Sequence, residues 1–188
     1  MMSIPPSAKV RIIGGRWRSR LLRFPVLPGL RPTPDRVRET LFNWLVPYLY
    51  RANCLDLFAG SGALGFEALS RGAAQVVMVE ASRFAAQQIQ ENVGLLKAQG
   101  LTLLQKTLPA KLSLPFIQAD LIFLDPPFQQ GLLSPTLESL LTQELITAKT
   151  RVYLEAEKGF AWASLPGSWS WLKQGQTKEI EYRLAMLS

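Results

Sequence analysis

Two stretches of the sequence combine residue types that could perform chemistry, and the first is suited to an amino group. The apolar run Leu121–Leu124 is followed by Asp125, Pro126, Pro127 and Phe128. The run predicts a buried strand, which must end there because proline cannot donate to the hydrogen-bond ladder. A carboxylate and a rigidly held carbonyl can each accept one N–H of an amine, while an aromatic ring stacks on the ring that carries this amine. We therefore expect Asp125, Pro126 and Phe128 to form a catalytic site.

The second stretch is a glycine-rich turn. Gly60, Gly62 and Gly65 stand between a predicted strand and a predicted helix, where glycine allows a tight turn and lets a ligand approach the backbone. Glu80 ends the next predicted strand, twenty residues after Gly60, and a carboxylate there can hold the two hydroxyls of a ribose. The pattern predicts a site for an adenosine cofactor. The plainer alternatives are a glycine turn that binds nothing and, for the first stretch, a proline turn that only closes a strand.

An acid beside the glycine turn narrows the choice of cofactor. Asp56 lies four residues before Gly60, where its carboxylate would repel the pyrophosphate of a dinucleotide and attract an ammonium group. S-adenosylmethionine carries an adenosine, a ribose diol and an ammonium group, and it has no phosphate. Hydride transfer would have no use for the Asp-Pro-Pro-Phe sequence. We therefore predict S-adenosylmethionine as the cofactor and methyl transfer to an amine conjugated with an aromatic ring.

Strands and helices must alternate to bring these two stretches together. Apolar runs predict strands over 53–58, 75–80, 101–106, 119–124 and 150–155, and helices over 62–71, 83–98 and 132–146. This alternation is typical of an α/β fold with a parallel sheet that is covered on both faces. The tail, residues 169–187, predicts an antiparallel strand pair. Because ligands of such sheets bind beyond the carboxyl ends of the strands, Asp125 should face the glycine turn.

Basic residues are concentrated near the N-terminus. Residues 1–38 contain nine Lys or Arg and a single acid, a net charge of +8, whereas the whole chain carries +7. A localised basic segment favours a polyanionic partner. The sequence has no histidine and one cysteine, Cys54, which excludes histidine-based nucleophile systems, histidine metal ligands and disulfides. We expect Cys54 to be a buried core residue.

The basic segment itself predicts a β-hairpin followed by a linker. Residues 9–24 form two β-prone runs that flank the turn residues Gly14 and Gly15. Three arginines alternate in the second run, so a strand would place all of them on one face. They could grip phosphates or merely guard an exposed strand edge. We expect residues 1–32 to form this unit and 33–188 the catalytic domain, with a helix that begins at Thr33 as N-cap and ends near Leu49.

No pattern for export or membrane insertion is present. The first residues lack a charged region followed by an apolar one, and no apolar run approaches the roughly 18 residues that a membrane span needs. We expect a cytoplasmic protein that acts as a monomer and does not contact membranes.

Four segments of the sequence carry a resemblance to a known family. They are RIIGGRWRSRLLRFP, LRPTPDRVRETLFNWL, DLFAGSGALGFEALSRGA and IFLDPPF. The chain resembles the bacterial 16S rRNA (guanine(966)-N(2))-methyltransferase family of the RsmD type over nearly its whole length. The resemblance implies a class I, Rossmann-like methyltransferase fold with a seven-stranded, mostly parallel sheet whose last strand is antiparallel. It also implies methyl transfer from S-adenosylmethionine to guanine N2 of 16S ribosomal RNA in assembled or partly assembled small subunits.

The resemblance also assigns roles to individual residues. Asp56, Gly60 and Gly62 would contact the methionine part of the cofactor and Glu80 its ribose, while Asp125, Pro126 and Phe128 hold the guanine and Asp125 reaches the cofactor as well. The third strand departs from the family pattern, because Thr107 stands where Asp or Asn often binds the adenine amino group. The Thr107 hydroxyl and the Leu108 N–H could take over this contact. The expected RNA contacts are Arg11, Arg16, Arg18, Arg20 and Arg31.

Three other functions fit parts of the sequence. An N6-adenine methyltransferase acting on DNA or RNA would use the same Asp-Pro-Pro-Phe chemistry. A protein glutamine methyltransferase usually has Asn before the prolines and would not need a basic hairpin. An RNA-binding module with a vestigial cofactor fold would not need the intact pairing of the glycine turn with Glu80 and Asp125.

Overall fold

A computed structural model describes residues 5–116 and 118–188 of the chain. A hairpin of β1 (Ser7–Arg11) and β2 (Leu21–Pro25) precedes helix α1 (Asp35–Leu49). The other elements, in chain order, are β3 (Asn53–Leu57), α2 (Ala63–Ser70), β4 (Gln75–Glu80), α3 (Arg83–Leu96), β5 (Leu101–Gln105), β6 (Leu121–Leu124), α4 (Leu133–Thr142), β7 (Arg151–Glu157), β8 (Trp169–Gln176) and β9 (Ile180–Leu187). Every strand and helix predicted from residue 53 onward is present, with ends that differ by a few residues.

The strands β3 to β9 form one sheet in the order β5-β4-β3-β6-β7-β9-β8. The first five of these in spatial order are parallel, and β9 runs antiparallel to both β7 and β8. This is the class I methyltransferase topology, and the prediction of an antiparallel last strand is confirmed. The central strands β3 and β6 are buried on both faces, as parallel strands between two helical layers must be.

Two apolar layers cover the sheet. One layer lies on the side of α1 and α2, where aromatic side chains such as Phe42, Phe66 and Phe123 pack together with Cys54. The second layer lies on the side of α4, where Leu137 packs against the central strands. Cys54 is fully buried, as predicted, and burial raises the pKa of its thiol well above the usual range. Among the helices of the described ranges, none combines the length and the apolar character that a bilayer crossing requires.

The N-terminal hairpin forms, but its turn differs from the prediction. Strands β1 and β2 pair from Ser7 with Pro25 to Arg11 with Leu21, so residues 12–20 connect them and contain a short 3-10 turn. Arg16, Arg18 and Arg20 lie in this connection, and the prediction that they share one face of a strand is wrong. We call residues 12–20 the hairpin tip.

Side chains of α2 explain why the ladder stops early. The Glu67 carboxylate accepts hydrogen bonds from the N–H groups of Ile13 and Gly14, each at 2.7 Å. The Ser70 hydroxyl donates to the Gly14 carbonyl at 2.6 Å and accepts from the Trp17 N–H at 2.9 Å. These backbone groups are therefore not available for strand pairing. The next position must be glycine, because a Cβ at Gly15 would lie 1.9 Å from the Ser70 carbonyl oxygen.

A buried ion pair fastens the hairpin to the rest of the protein. Arg38 of α1 and Glu67 of α2 are both fully buried, with Nη1 of the arginine 3.6 Å from Oε2 of the glutamate. Arg38 also donates to the Arg11 carbonyl at 2.8 Å and to Asp35 at 2.6 Å. Arg38 is thus a structural residue, and its charge does not belong to the basic surface as the charge count had assumed. The proposed division at residue 32 stays a prediction.

The start of α1 also differs from the prediction. Pro34 is the N-cap residue of the helix, and it makes no side-chain capping hydrogen bond. Thr33 is buried and its hydroxyl is directed elsewhere, because it donates to a carboxylate oxygen of Asp125 at 3.0 Å. The expectation that Thr33 is the N-cap is therefore wrong, and the residue belongs to the site at the carboxyl edge of the sheet.

Candidate active site

Four acids meet at the carboxyl edge of the parallel strands. Asp56 lies near the end of β3, Glu80 ends β4, Asp125 follows β6 and Glu155 lies near the end of β7. Leu124 of β6 is in register with Leu154 of β7, so Asp125 and Glu155 are neighbours on adjacent strands. Asp125 was predicted to face the glycine turn. The charges of Asp125 and Glu80 both raise the pKa of Asp56, which precedes that turn, so Asp125 lies close enough to interact with this region.

The glycine turn has the backbone conformation that its sequence suggests. Gly60 and Gly62 have φ angles of +53° and +74°, in the left-handed region where other residues are strained. Glu80 accepts a hydrogen bond from the Gly60 N–H at 2.7 Å and another from the Ser82 N–H at 2.6 Å. The turn and the acid that the sequence analysis assigned to one cofactor are therefore in direct contact.

Asp56 lies beneath the turn. Its carboxylate is buried and accepts a hydrogen bond from the Gly65 N–H of α2 at 2.9 Å. Loss of hydration raises the pKa of Asp56 to about 7, and the nearby charges of Asp125 and Glu80 add to this rise, while the hydrogen bond from Gly65 opposes it. An ammonium group placed here would find a carboxylate whose negative charge has little solvent to stabilise it.

Asp125 and Phe128 differ in their exposure. Burial raises the pKa of Asp125 to about 6, and the hydrogen bond from Thr33 opposes the rise because it favours the ionised form. Pro126 is buried, whereas Phe128, three residues after Asp125, is 39% exposed and presents its ring at the surface. A partly exposed aromatic ring that closely follows a hydrogen-bond acceptor in the chain can hold a flat, amino-bearing ring.

The segment after β5 reaches the same edge. The Lys106 N–H donates to the Glu80 carbonyl at 3.1 Å, which places the following residues beside the end of β4. Thr107 is exposed there, while the Leu108 side chain is buried in the apolar layer on the α4 side. Their contacts with adenine stay a prediction.

Glu155 is an acid of this edge that the sequence analysis did not single out. Its carboxylate is buried and accepts a hydrogen bond from the Tyr153 hydroxyl at 2.7 Å. Loss of hydration, together with the charge of Asp125, raises the pKa of Glu155 well above its ordinary value. The sequence did carry a signal for Glu155. Side chains alternate along a strand, so Glu155 lies on the same face of β7 as the buried Tyr153. Among the described residues, no group of His, Cys, Asp or Glu is arranged to hold a metal ion.

A basic groove adjoins this edge on the side of the N-terminal hairpin. It has a volume of about 360 Å³ and includes Lys9 and Arg11 of β1, Pro32 and Thr33 of the linker, and Asp35 of α1, whose carboxylate is paired with Arg38. Thr33 lines the groove and also hydrogen-bonds to Asp125, so this residue lies between the groove and the carboxylate. Of the predicted RNA contacts, Arg11 is therefore the one that lines the groove.

The other predicted RNA contacts are spread more widely. Arg16, Arg18 and Arg20 are exposed on the hairpin tip, which packs on the C-terminal half of α2. Ser70, the contact of the tip, is eight residues after Gly62, or about 12 Å along the helix axis. Arg31 in the linker is exposed and lies 3.3 Å from Glu179. The predicted RNA contacts are thus separated in space. Three arginines lie on the hairpin tip, whereas Arg11 lines the groove near the site.

Of three residues that organise the site, two carried sequence signals that the predictions did not use, and the third, Thr33, carried none for its contact. Arg38 stands three residues before Leu41 and seven before Leu45, on the apolar stripe of α1, which signals a buried charge. Glu67 is the lone acid of a helix that is buried along its whole length. Thr33 is enclosed by prolines, and its contact with Asp125, 92 positions away in the sequence, had no local signal.

The comparisons with known proteins agree with this architecture. Residues 10–186 match a family profile described as "Conserved hypothetical protein 95". The chain is 43% identical to "Ribosomal RNA small subunit methyltransferase D" of Escherichia coli strain K12 over 178 residues, which cover 95% of this chain and 90% of that protein. It is also 43% identical to the protein of the same name from Haemophilus influenzae, with 95% of both chains covered. The solved structure of the protein yhhF from Escherichia coli superposes with a TM-score of 0.85 at 41% identity and covers 96% of this chain and 99% of that one.

Proposed function

The chain belongs to the family of the ribosomal RNA small subunit methyltransferases D, and from this premise we propose that it methylates the exocyclic N2 of a guanine in small-subunit ribosomal RNA. The methyl donor in this proposal is S-adenosylmethionine. The observation that carries the proposal is the contact between three parts of the site. The glycine turn touches Glu80, Asp125 lies at the same edge of the sheet, and a basic groove adjoins Asp125.

The residues around the glycine turn fit S-adenosylmethionine. Gly60 has open space around it, since a Cβ there would have its nearest neighbour at 3.7 Å, so a ligand can approach this stretch of backbone. Both oxygens of Glu80 accept one backbone N–H each, and each oxygen retains a lone pair that a ribose hydroxyl can use. Asp56 would attract the ammonium group, and Thr107 and Leu108 would receive the adenine. When bound, the cofactor supplies a methyl group activated by a positively charged sulfur.

Asp125 would orient the target amine rather than act as a strong base. The lone pair of guanine N2 is delocalised into the ring, and hydrogen bonds to a carboxylate and to the Pro126 carbonyl would direct it out of the ring plane. Phe128 would stack on the base after it has left the RNA helix. The proton of the methylated amine is acidic and leaves readily, so holding the amine in place is the larger contribution to the rate.

The basic groove would contact RNA phosphates close to the target base. Lys9 and Arg11 line it, and Arg31 lies in the neighbouring linker. The hairpin tip with Arg16, Arg18 and Arg20 extends the basic surface along α2, so a structured RNA could be held at two places while one base is extracted. Extraction costs a few kcal/mol, which phosphate contacts at two places would offset.

The modified base decides between this proposal and an N6-adenine methyltransferase. The enzyme is incubated with small subunits that lack the modification and with S-adenosylmethionine labelled in the methyl group. The RNA is then digested to nucleosides, which are separated and weighed. The proposal predicts that the label is recovered as N2-methylguanosine. Recovery as N6-methyladenosine would replace the proposal by its alternative.

A further inference from the structure

Thr33 is the residue that contacts the proposed catalytic carboxylate most directly. Its hydroxyl donates to Oδ2 of Asp125 at 3.0 Å, and only 5% of the residue is exposed. No residue in 5–116 or 118–188 hydrogen-bonds to the other oxygen, Oδ1, which is therefore available to a substrate. The hydroxyl thus distinguishes two oxygens that would otherwise be equivalent.

The backbone of Thr33 is fixed from both sides. Pro32 and Pro34 flank it, and a proline ring leaves little freedom in φ. The Thr33 carbonyl accepts a hydrogen bond from Nε of the buried Arg38 at 3.1 Å. Because Arg38 is itself held by the Arg11 carbonyl, by Asp35 and by Glu67, the position of Thr33 does not depend on its own side chain.

Loss of hydration is the factor that works against the charge of Asp125, and the acidic groups near it do not compensate for that loss. Asp56 on β3 and Glu155 on β7 are acids that interact electrostatically with it, and Tyr153 on β7 does so as well. A hydroxyl donor is favourable toward a carboxylate, since it stabilises the ionised form that accepts N–H groups. Among these contacts Thr33 is the one that favours a correctly oriented, ionised Asp125.

We propose that Thr33 is a positioning residue for methyl transfer, which holds Oδ2 of Asp125 so that Oδ1 faces the target amine. This inference rests on the proposed function. It gives the rigid linker a purpose beyond leading into a helix, since the residue that lines the groove also sets the orientation of the carboxylate. A substrate that enters the groove would meet Thr33 and Asp125 as one unit.

The test compares Thr33→Val with Thr33→Ser in methyl transfer to unmodified small subunits. Valine has the same shape but no hydroxyl, and we expect kcat to fall about 10-fold while KM for subunits and Kd for S-adenosylmethionine stay within about twofold. The acidic limb of the kcat profile should move up by about one pH unit, because the ionised form has lost a donor. Serine keeps the donor and should restore kcat to within about threefold of wild type.

Two controls keep the outcome interpretable. Thr40→Val removes a hydroxyl of α1, the helix that follows Thr33, and within residues 5–116 and 118–188 this hydroxyl hydrogen-bonds only to the Arg36 carbonyl, so we expect wild-type kcat and pH profile. Thr33→Ala serves as a second variant without a hydroxyl and should reproduce the shifted acidic limb. An unshifted limb in both variants, with kcat within twofold of wild type, would overturn the proposal for Thr33. Failure of wild type itself to form N2-methylguanosine would instead overturn the proposed function.

Discussion

The Glu80 carboxylate accepts a hydrogen bond from the Gly60 N–H at 2.7 Å, so the acid proposed for the ribose and the turn proposed for the methionine part form one unit. Substitution of either residue should therefore disturb the same ligand. The side chain of Leu30 from the linker lies beside Gly60, which brings the N-terminal segment to this unit as well.

Glu80→Ala should weaken binding of S-adenosylmethionine by about 1–3 kcal/mol, the cost of losing hydrogen bonds to a charged group. Titration calorimetry of the purified protein measures the affinity. Glu91→Ala is the matched control, since Glu91 is exposed on α3 and contacts only Gln87 and Gln88. Equal affinities for the Glu80 variant and the control would contradict the assignment of the ribose site.

Gly62 is a poor position for such a test, although its sequence context suggests it. A Cβ at Gly62 would lie 2.9 Å from the ring of Phe66, so a larger residue would strain the start of α2 in addition to any effect on the ligand. The structure thus argues against probing the turn by replacing either glycine, because Gly60 has room for a Cβ but a φ of +53°, at which other residues are strained.

The second prediction concerns the acidic limb of activity. Asp125 must be ionised to accept hydrogen bonds from both the Thr33 hydroxyl and the target amine, and its pKa is raised to about 6, so activity should be lost as the pH falls through about 6 and should be full at pH 8. Asp125→Ala should lower turnover strongly at every pH, while the affinity for S-adenosylmethionine changes much less. Single-turnover rates between pH 5 and pH 9 check both statements. A rate that does not vary between pH 5 and pH 8 would argue against an ionised Asp125 in the step.

The third prediction concerns Phe128, whose ring is proposed to stack on the extracted base. Phe128→Ala should reduce turnover more than Phe128→Tyr, because tyrosine keeps the aromatic face. Stacking of a base on an aromatic ring contributes about 1–3 kcal/mol, which sets the size of the expected loss. Comparable activity of the two variants in a methyl-transfer assay would mean that the ring does not contact the base.

The fourth prediction concerns the buried pair of Arg38 and Glu67. Arg38→Gln should lower the free energy of unfolding by about 1.5–3 kcal/mol, because it removes charged hydrogen bonds to the Thr33 and Arg11 carbonyls, while Glu67 keeps Arg71, whose Nε lies 2.6 Å from its Oε1. Arg31→Gln removes one partner of an exposed pair with Glu179 and should change stability by less than about 1 kcal/mol. Urea unfolding of the two variants measures the difference. Similar midpoints would show that Arg38 does not stabilise the fold.

The fold could be predicted because its signals are local and repeated. Apolar runs for β3, β4 and β6, separated by helical segments, leave few arrangements other than a parallel sheet. The hairpin was less predictable, because the position of its turn depends on Glu67 and Ser70, which lie more than 50 residues further along the chain. The alternating arginines predicted one face of a strand, but the Glu67 carboxylate binds the N–H groups of Ile13 and Gly14, so the strand pairing ends before the arginines.

The candidate site shows the same limit. Asp125, Gly60 and Glu80 stand at the ends of predicted strands, so the rule for ligand binding in α/β sheets places them together. Thr33 has no such rule, because its hydroxyl could cap a helix or bond to any acceptor that folding brings near. Its contact with Asp125 follows from the tertiary structure alone.

The fifth prediction concerns the binding of small-subunit RNA by the basic N-terminal hairpin. Wild type is compared with Arg16→Gln/Arg18→Gln/Arg20→Gln in binding to unmodified small subunits at several salt concentrations. If each arginine contacts one phosphate, the triple variant should flatten the logarithmic dependence of affinity on salt by about two to three units. The matched control is Lys97→Gln/Lys149→Gln/Lys173→Gln, three exposed cations away from the hairpin tip: Lys97 and Lys149 precede parallel strands, and Lys173 lies on the edge strand β8.

Methyl transfer is measured in the same samples, with purified large subunits as a second substrate. For wild type and the control we expect label in small-subunit RNA as N2-methylguanosine. The arginine variant should give much less label at physiological salt, and large subunits should give none. Label in large-subunit RNA at the same rate, or an identical salt slope and rate for the arginine variant and wild type, would contradict a small-subunit RNA methyltransferase that grips its substrate through the N-terminal hairpin.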